Sequence, residues 1–328
     1  MLAMGTGLTG IFSGCSSTSF LRPATPAIPE VLPATPGINQ LVSTIHRNTE
    51  AVRQLNSNVK VVMDGMPSAS GTLLMERPDR LRLKVGILGM TDSGIDIGSN
   101  EEVFWFFNKS SFGGSRPTVF FANHHEYNRS AMQQSFQFRP QWLMDAMGLI
   151  QFDANETFDG PVQHNGNLKL YATAVTQSGT IKRELTIAPR SGLVLQLAVY
   201  DGSNRLLGWA RSSKHRYFEE HNVSLPQHIK LTAVGANGQN VNLSVQVQSH
   251  SLNSLYVDPA ITWAMPQPAD VPVVDLARVN PAALQQSLTP GPRPASYNGG
   301  SDDFSNEPQA SRRRPARLGL LKGLKLNR

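Results

Sequence analysis

Cys15 is the single thiol of the 328-residue chain, so no internal disulfide can form. It sits in "IFSGCSSTSF" (11–20), among small residues and not inside a hydrophobic run where a buried structural cysteine would lie. A second stretch, "NHHEYN" (123–128), offers His124, His125 and Glu126. On a strand His124 and Glu126 would share a face, and two such groups could begin a metal site. No HExxH occurs, and the remaining histidines (46, 164, 215, 221, 228 and 250) have no ligand spacing. The stretch therefore reads as a polar strand end beside a turn, and no metal is expected. Carboxylates stand close in sequence at Asp92/Asp96, Glu101/Glu102 and Glu219/Glu220, where they would solvate turns. Nothing in the sequence selects an acid–base couple. GxSxG and P-loop patterns are absent from the sequence. The expectation is no catalytic residue, no cofactor and no enzyme.

The composition narrows the class. Apolar residues make up 40% and charged residues only 16%, while Gly and Pro number 27 and 22. That mixture suits a β-rich core with Pro-rich ends and argues against wholesale disorder. The formal charge of +6 is concentrated in the tail, which carries Arg312, Arg313, Arg314, Arg317, Lys322, Lys325 and Arg328 with no acid. Without it the chain is close to neutral, so the charge balance implies no nucleic-acid partner.

The surroundings of Cys15 give it a role. Residues 1–14 are uncharged, apolar and small, and end in Phe12-Ser13-Gly14 before the cysteine. This is similar to a bacterial lipobox, in which small residues admit the signal peptidase and the thiol is then acylated. Phe replaces the usual Leu and no basic residue precedes the apolar segment, which a start codon farther upstream would repair. Residues 1–14 are thus expected to be a signal peptide and 15–37 a lipidated Cys with a Pro-rich tether. "RPATPAIPEVLPATPG" (22–37) holds five prolines and favours extended polyproline II. Residues 16–37 would then reach roughly 65–70 Å at about 3.1 Å each. Ser16 is not the Asp that retains lipoproteins at the inner membrane, so the periplasmic face of the outer membrane is favoured.

The folded body is expected over 38–258. Ile38, Leu41, Ile45, Val52 and Leu55 recur at helical spacing and predict an amphipathic helix ending near Asn56. Twelve strand signals follow: 58–64, 70–76, 80–88, 94–98, 103–108, 118–122, 168–175, 181–187, 194–200, 206–215, 229–234 and 241–247. A second helical stretch, 140–148, interrupts them. QSGT, PRSG, DGSN and ANGQ read as hairpin turns. The pattern predicts a mainly β fold: a large curved antiparallel sheet or incomplete barrel of about 11–12 strands, with the two helices as lid. In "RLRLKV" Arg80, Arg82 and Lys84 face one way and Leu81, Leu83 and Val85 the other, so part of the exterior is wet. In "EEVFWFFNKS" both alternating sets are apolar, Val103, Trp105 and Phe107 against Phe104 and Phe106. Both faces there need cover, a helix inside and a loop outside.

The stretch "SGTLLMERPDRLRLKVGILGMTDSGIDIGSNEEVFWF" (70–106) resembles the outer-membrane lipoprotein carrier and receptor proteins, LolA and LolB. The shared order is helix, strand, a strand ending in Arg77-Pro78, an Arg-Leu strand carrying Arg82, a loop and an aromatic strand. The resemblance covers about 38–253. It implies an incomplete barrel whose helices lid a cavity for lipoprotein acyl chains, and it places Ile87 and Leu88 of "GILGM" in the receptor's protruding loop. The long 109–167 segment and the tail depart from both proteins.

Phe104, Trp105, Phe106, Phe107, Phe120 and Trp142 are the candidates for a ligand cavity, with ordinary core packing as the alternative. Residues 259–310 read as linker. The tail 311–328, with Arg312, Arg313, Arg314 and Arg317 among leucines, suits an anionic lipid surface, a solvated end or another envelope polyanion. The functional expectation is a membrane-anchored envelope lipoprotein that binds acyl chains. The alternative is a structural envelope lipoprotein, a scaffold with a packed interior.

Overall fold

The computed structural model describes residues 26–280, apart from 65–67, 88–89, 110–115, 136–139, 177–178 and 235–239. Cys15, Leu88 and the basic tail lie outside the described residues.

Helix α1 (Ile38–Glu50) is followed by strands β1 (Gln54–Met63), β2 (Ala69–Glu76), β3 (Arg80–Ile87), β4 (Met90–Ser99), β5 (Val103–Asn108) and β6 (Thr118–Asn123). Three short helices come next: α2 (His124–Tyr127), α3 (Ala131–Ser135) and α4 (Gln141–Ala146). Then run β7 (Thr157–His164), β8 (Asn167–Thr176), β9 (Gly179–Ile187), β10 (Val194–Asp201), β11 (Leu206–Phe218), β12 (Val223–Val234) and β13 (Asn240–Leu252). The chain ends in α5 (Pro259–Thr262) and β14 (Val273–Asp275). All fourteen strands form one sheet, ordered β14-β6-β5-β4-β3-β2-β1-β13-β12-β11-β10-β9-β8-β7. It is not closed into a barrel. Every pair is antiparallel except β14 with β6.

The twelve expected strands are present, and two more were illegible. β7 lies on an edge, is largely exposed and contains Pro161, so it shows no apolar alternation. β14 has three residues and borrows its place from β6. α1 stops at Glu50 although Val52 and Leu55 continue its spacing. Asn253 explains the stop. Its side-chain oxygen accepts the N–H groups of Arg53 and Gln54 at 2.8 and 3.1 Å, and its amide donates to the Ala51 carbonyl at 2.8 Å. Leu55 then becomes the first inward residue of β1.

The inner face is continuous and apolar. Leu55, Val59, Val61 and Met63 of β1 are buried beside Leu73 and Met75, Leu81, Leu83 and Val85, and Ile95 and Ile97. α4 covers this half: Leu143, Met144, Ala146 and Met147 pack against β1–β4 and β11–β13. α1 covers the other half, setting Leu41 and Ile45 among Leu168, Leu170, Leu185, Ile187 and Leu197. Trp142 packs into both clusters, and its ring comes so close to Gly208 that a Cβ there would lie 2.6 Å away.

Two expected tethers prove to be partly docked. Leu32 is buried in the α1 cluster, and the N–H groups of Val31 and Leu32 both donate to the Arg190 carbonyl at 2.9 Å. The extended spacer expected over 15–37 is therefore shorter by the residues from Glu30 onward. At the other end 259–280 is not linker. Trp263 and Leu276 are buried, and Leu276 N–H donates to the Phe121 carbonyl at 2.7 Å.

Candidate functional site

The six aromatic candidates divide by strand parity. Ile97 pairs with Phe106, Ser99 with Phe104, and Phe106 with Phe120, which puts Phe104, Phe106 and Phe120 on the inner face. Trp105 and Phe107, opposite Gly98 and Asp96, are on the outer face, and Trp105 also borders the inner hollow described below. Trp142 reaches the inner face from α4.

On the outer face Arg82 makes a two-pronged ion pair with Asp96, at 3.1 and 2.8 Å, and both side chains are buried. Trp105 donates its indole N–H to the same carboxylate at 3.3 Å, and its ring covers Gly98. The Arg82 guanidinium stands 5.6 Å from that ring and donates to the carbonyls of Ile261 and Thr262 at 3.2 and 2.6 Å. The expected loop outside is this strap. It also corrects the expectation of a wet row on β3, since Arg82 lies under α5 while Lys84 remains exposed. A buried charge needs every donor matched, and here the strap's carbonyls complete the match.

The inner face is less complete. Met63, Ile97, Phe104, Phe106, Leu243 and Leu276 surround an apolar hollow of about 40 Å³, with Pro140 beside them. A smaller recess of about 10 Å³ adjoins it, between Val61, Ala69, Leu83 and Val85. Ligand pockets usually begin near 300 Å³, so the hollow as it stands cannot hold a whole acyl chain. Its boundary includes Pro140, the residue that precedes the short helix α4.

α4 also carries an unusual group. The Asp145 carboxyl is buried, and burial pushes its pKa up to about 7 against the opposing pull of Arg183. Arg183 itself is pinned by Glu156 at 2.5 Å and by the Gln151 carbonyl at 3.1 Å. The Glu156 carboxyl is likewise pushed up by burial. At the same end of the helix Ser212 Oγ donates to the Ala146 carbonyl at 2.5 Å.

The remaining expected site residues are scattered. Arg77 donates to the Thr49 carbonyl at 2.7 Å, capping α1, and burial lowers its pKa. Pro78 lies in the exposed turn between β2 and β3. Ile87 ends β3 and pairs with Met90. His124 is on α2, not a strand, and its Nε2 lies 2.9 Å from the Asn100 carbonyl and 3.2 Å from Ser99 Oγ. Among the described residues no three His, Cys, Asp or Glu side chains gather as metal ligands. The strap and Asp145 were missed. Trp263, a large aromatic inside a Pro-rich stretch, was the available signal for the strap. Asp145 gave none, since a lone acid on a short helix looks solvated.

No family model matches the chain, and no curated protein matches it. Solved structures do. A LolA superfamily protein of Nitrosomonas europaea is 14% identical, with 66% of this chain and 94% of that one covered and a TM-score of 0.41. A domain of Vibrio parahaemolyticus named for outer membrane lipoprotein sorting is 9% identical over 66% and 94%, with a TM-score of 0.40. A DUF1329 family protein of Desulfovibrio piger is 10% identical over 69% and 97%, with a TM-score of 0.43. This chain is similar to each of these.

Proposed function

We propose that this chain is a lipid-anchored protein of the bacterial envelope that binds an acyl chain on the inner face of its sheet, without enzymatic activity. The observation that carries the reading is the asymmetry of β5. Its outer face is sealed by a matched ion pair and a strap, whereas its inner face borders an apolar hollow closed by Pro140 and Leu276. Apolar lining without convergent polar chemistry suits a hydrocarbon guest. Acylation at Cys15 would keep the domain at the membrane that supplies the guest.

The hollow's size, about 40 Å³, favours a second reading, a scaffold filled by its own side chains. One experiment separates them. Full-length chain from a bacterial membrane is analysed by intact mass spectrometry, first native and then denatured. The expected result is a diacyl mass on Cys15 after denaturation and a further non-covalent lipid under native conditions. A bare protein mass in both would overturn anchor and cavity together. A lipidated but otherwise empty chain would leave the scaffold.

A further inference from the structure

The largest free volume among the cavities described here is a polar cleft of about 250 Å³ that meets the apolar hollow at Phe104 and Pro140. Phe104 is the partition: hydrocarbon lies on one side of it, and Ser99, His124, Asp79, Glu101 and Gln141 lie on the other. The ring is fixed, buried and met edge-on by Tyr127 at 4.9 Å. A dry slot and a wet cleft with a common wall form one compartment for an amphiphile.

We infer that the cleft receives the head group of the bound lipid and selects an ammonium head over an anionic one. This rests on the acyl-binding reading. The charges facing the cleft decide the sign. Glu101 is kept ionised, its pKa lowered by backbone hydrogen bonding and by Arg80, which donates to it at 2.7 Å. Arg80 spends its other arm on Glu76, also at 2.7 Å. Asp79 makes no ion pair or side-chain hydrogen bond with another described residue. His124 directs Nε2 at the Asn100 carbonyl and Ser99. Arg82, two residues along β3 from Arg80, does not line the cleft and is taken up by Asp96. Thus a cationic head meets acceptors, while an anionic head meets two carboxylates and no unengaged guanidinium.

Dodecyltrimethylammonium and dodecanoate, equal in chain length, are titrated below their micellar concentrations into delipidated full-length protein by calorimetry. The cation should bind about tenfold tighter, the scale of one charge-assisted contact. In the double variant Asp79→Asn, Glu101→Gln, with an unchanged melting temperature, that preference should vanish while chain binding persists. Equal affinities in the native chain, or a preference for dodecanoate, would overturn the head-group assignment and leave acyl binding standing. Failure of both probes to bind would overturn both readings.

Discussion

The two faces of β5 both carry aromatic residues and do different work. On the outer face Trp105 is wholly buried, its N–H is matched, and Arg82, Asp96 and the strap close round it. On the inner face Phe106 is only partly buried and borders unfilled space. An aromatic run in the sequence identifies neither face as a site. The difference lies in what covers each one: a strap with polar anchors seals the outer face, while Pro140 and Leu276 close a hollow on the inner one.

The outer network should be the more damaging to break. Asp96→Ala leaves the Arg82 guanidinium buried without its counter-charge, and a loss of about 3–5 kcal/mol is expected. Chemical denaturation of the full chain measures it. A loss below about 1 kcal/mol, the range of exposed pairs, would show that the strap does not seal this face.

That contrast also shows what could be read from residues alone. Strand positions were legible because alternation is a local property, and β5 was located to the residue. The need for cover on both faces was legible too, from Phe104–Phe107. The identity of the cover was not, since the strap joins β3 from 180 positions away through backbone carbonyls that carry no side-chain signature. Asn253 ends α1 across a similar distance in the chain, which periodicity cannot register. The hollow itself depends on how closely Phe104, Phe106, Leu243 and Leu276 meet, a matter of packing and not of composition.

The seat of α4 predicts a pH effect with a definite sign. Asp145 has its pKa raised to about 7 in the folded state, so between about 4 and 7 the native chain holds a proton that the unfolded chain has lost. Its contribution therefore falls as pH rises through that window, by up to about 1.4 kcal/mol per pH unit. His215 and His250 act oppositely. Burial lowers both to about 4, so their contribution is lost as pH falls from the ordinary histidine range towards 4. In the native chain these slopes oppose each other. Asp145→Asn removes one of them, so the variant should lose stability on acidification from pH 6.5 to 4.5 more steeply than the native chain. Parallel pH profiles would mean that Asp145 is ionised in its seat.

The smallest effect belongs to the N-terminal counterpart of the strap. The segment before α1 docks through Leu32 and through an exposed ion pair, Arg190 Nε to Glu30 at 3.0 Å. These charges are solvated, unlike Arg82 and Asp96, and such pairs contribute about 0–1 kcal/mol and weaken with salt. Glu30→Gln should therefore lower stability by less than about 1 kcal/mol, with the difference disappearing near 1 M salt. Leu32 and the two N–H groups on Arg190 would still hold the segment. A salt-insensitive loss of several kcal/mol would show that the two end segments are anchored alike.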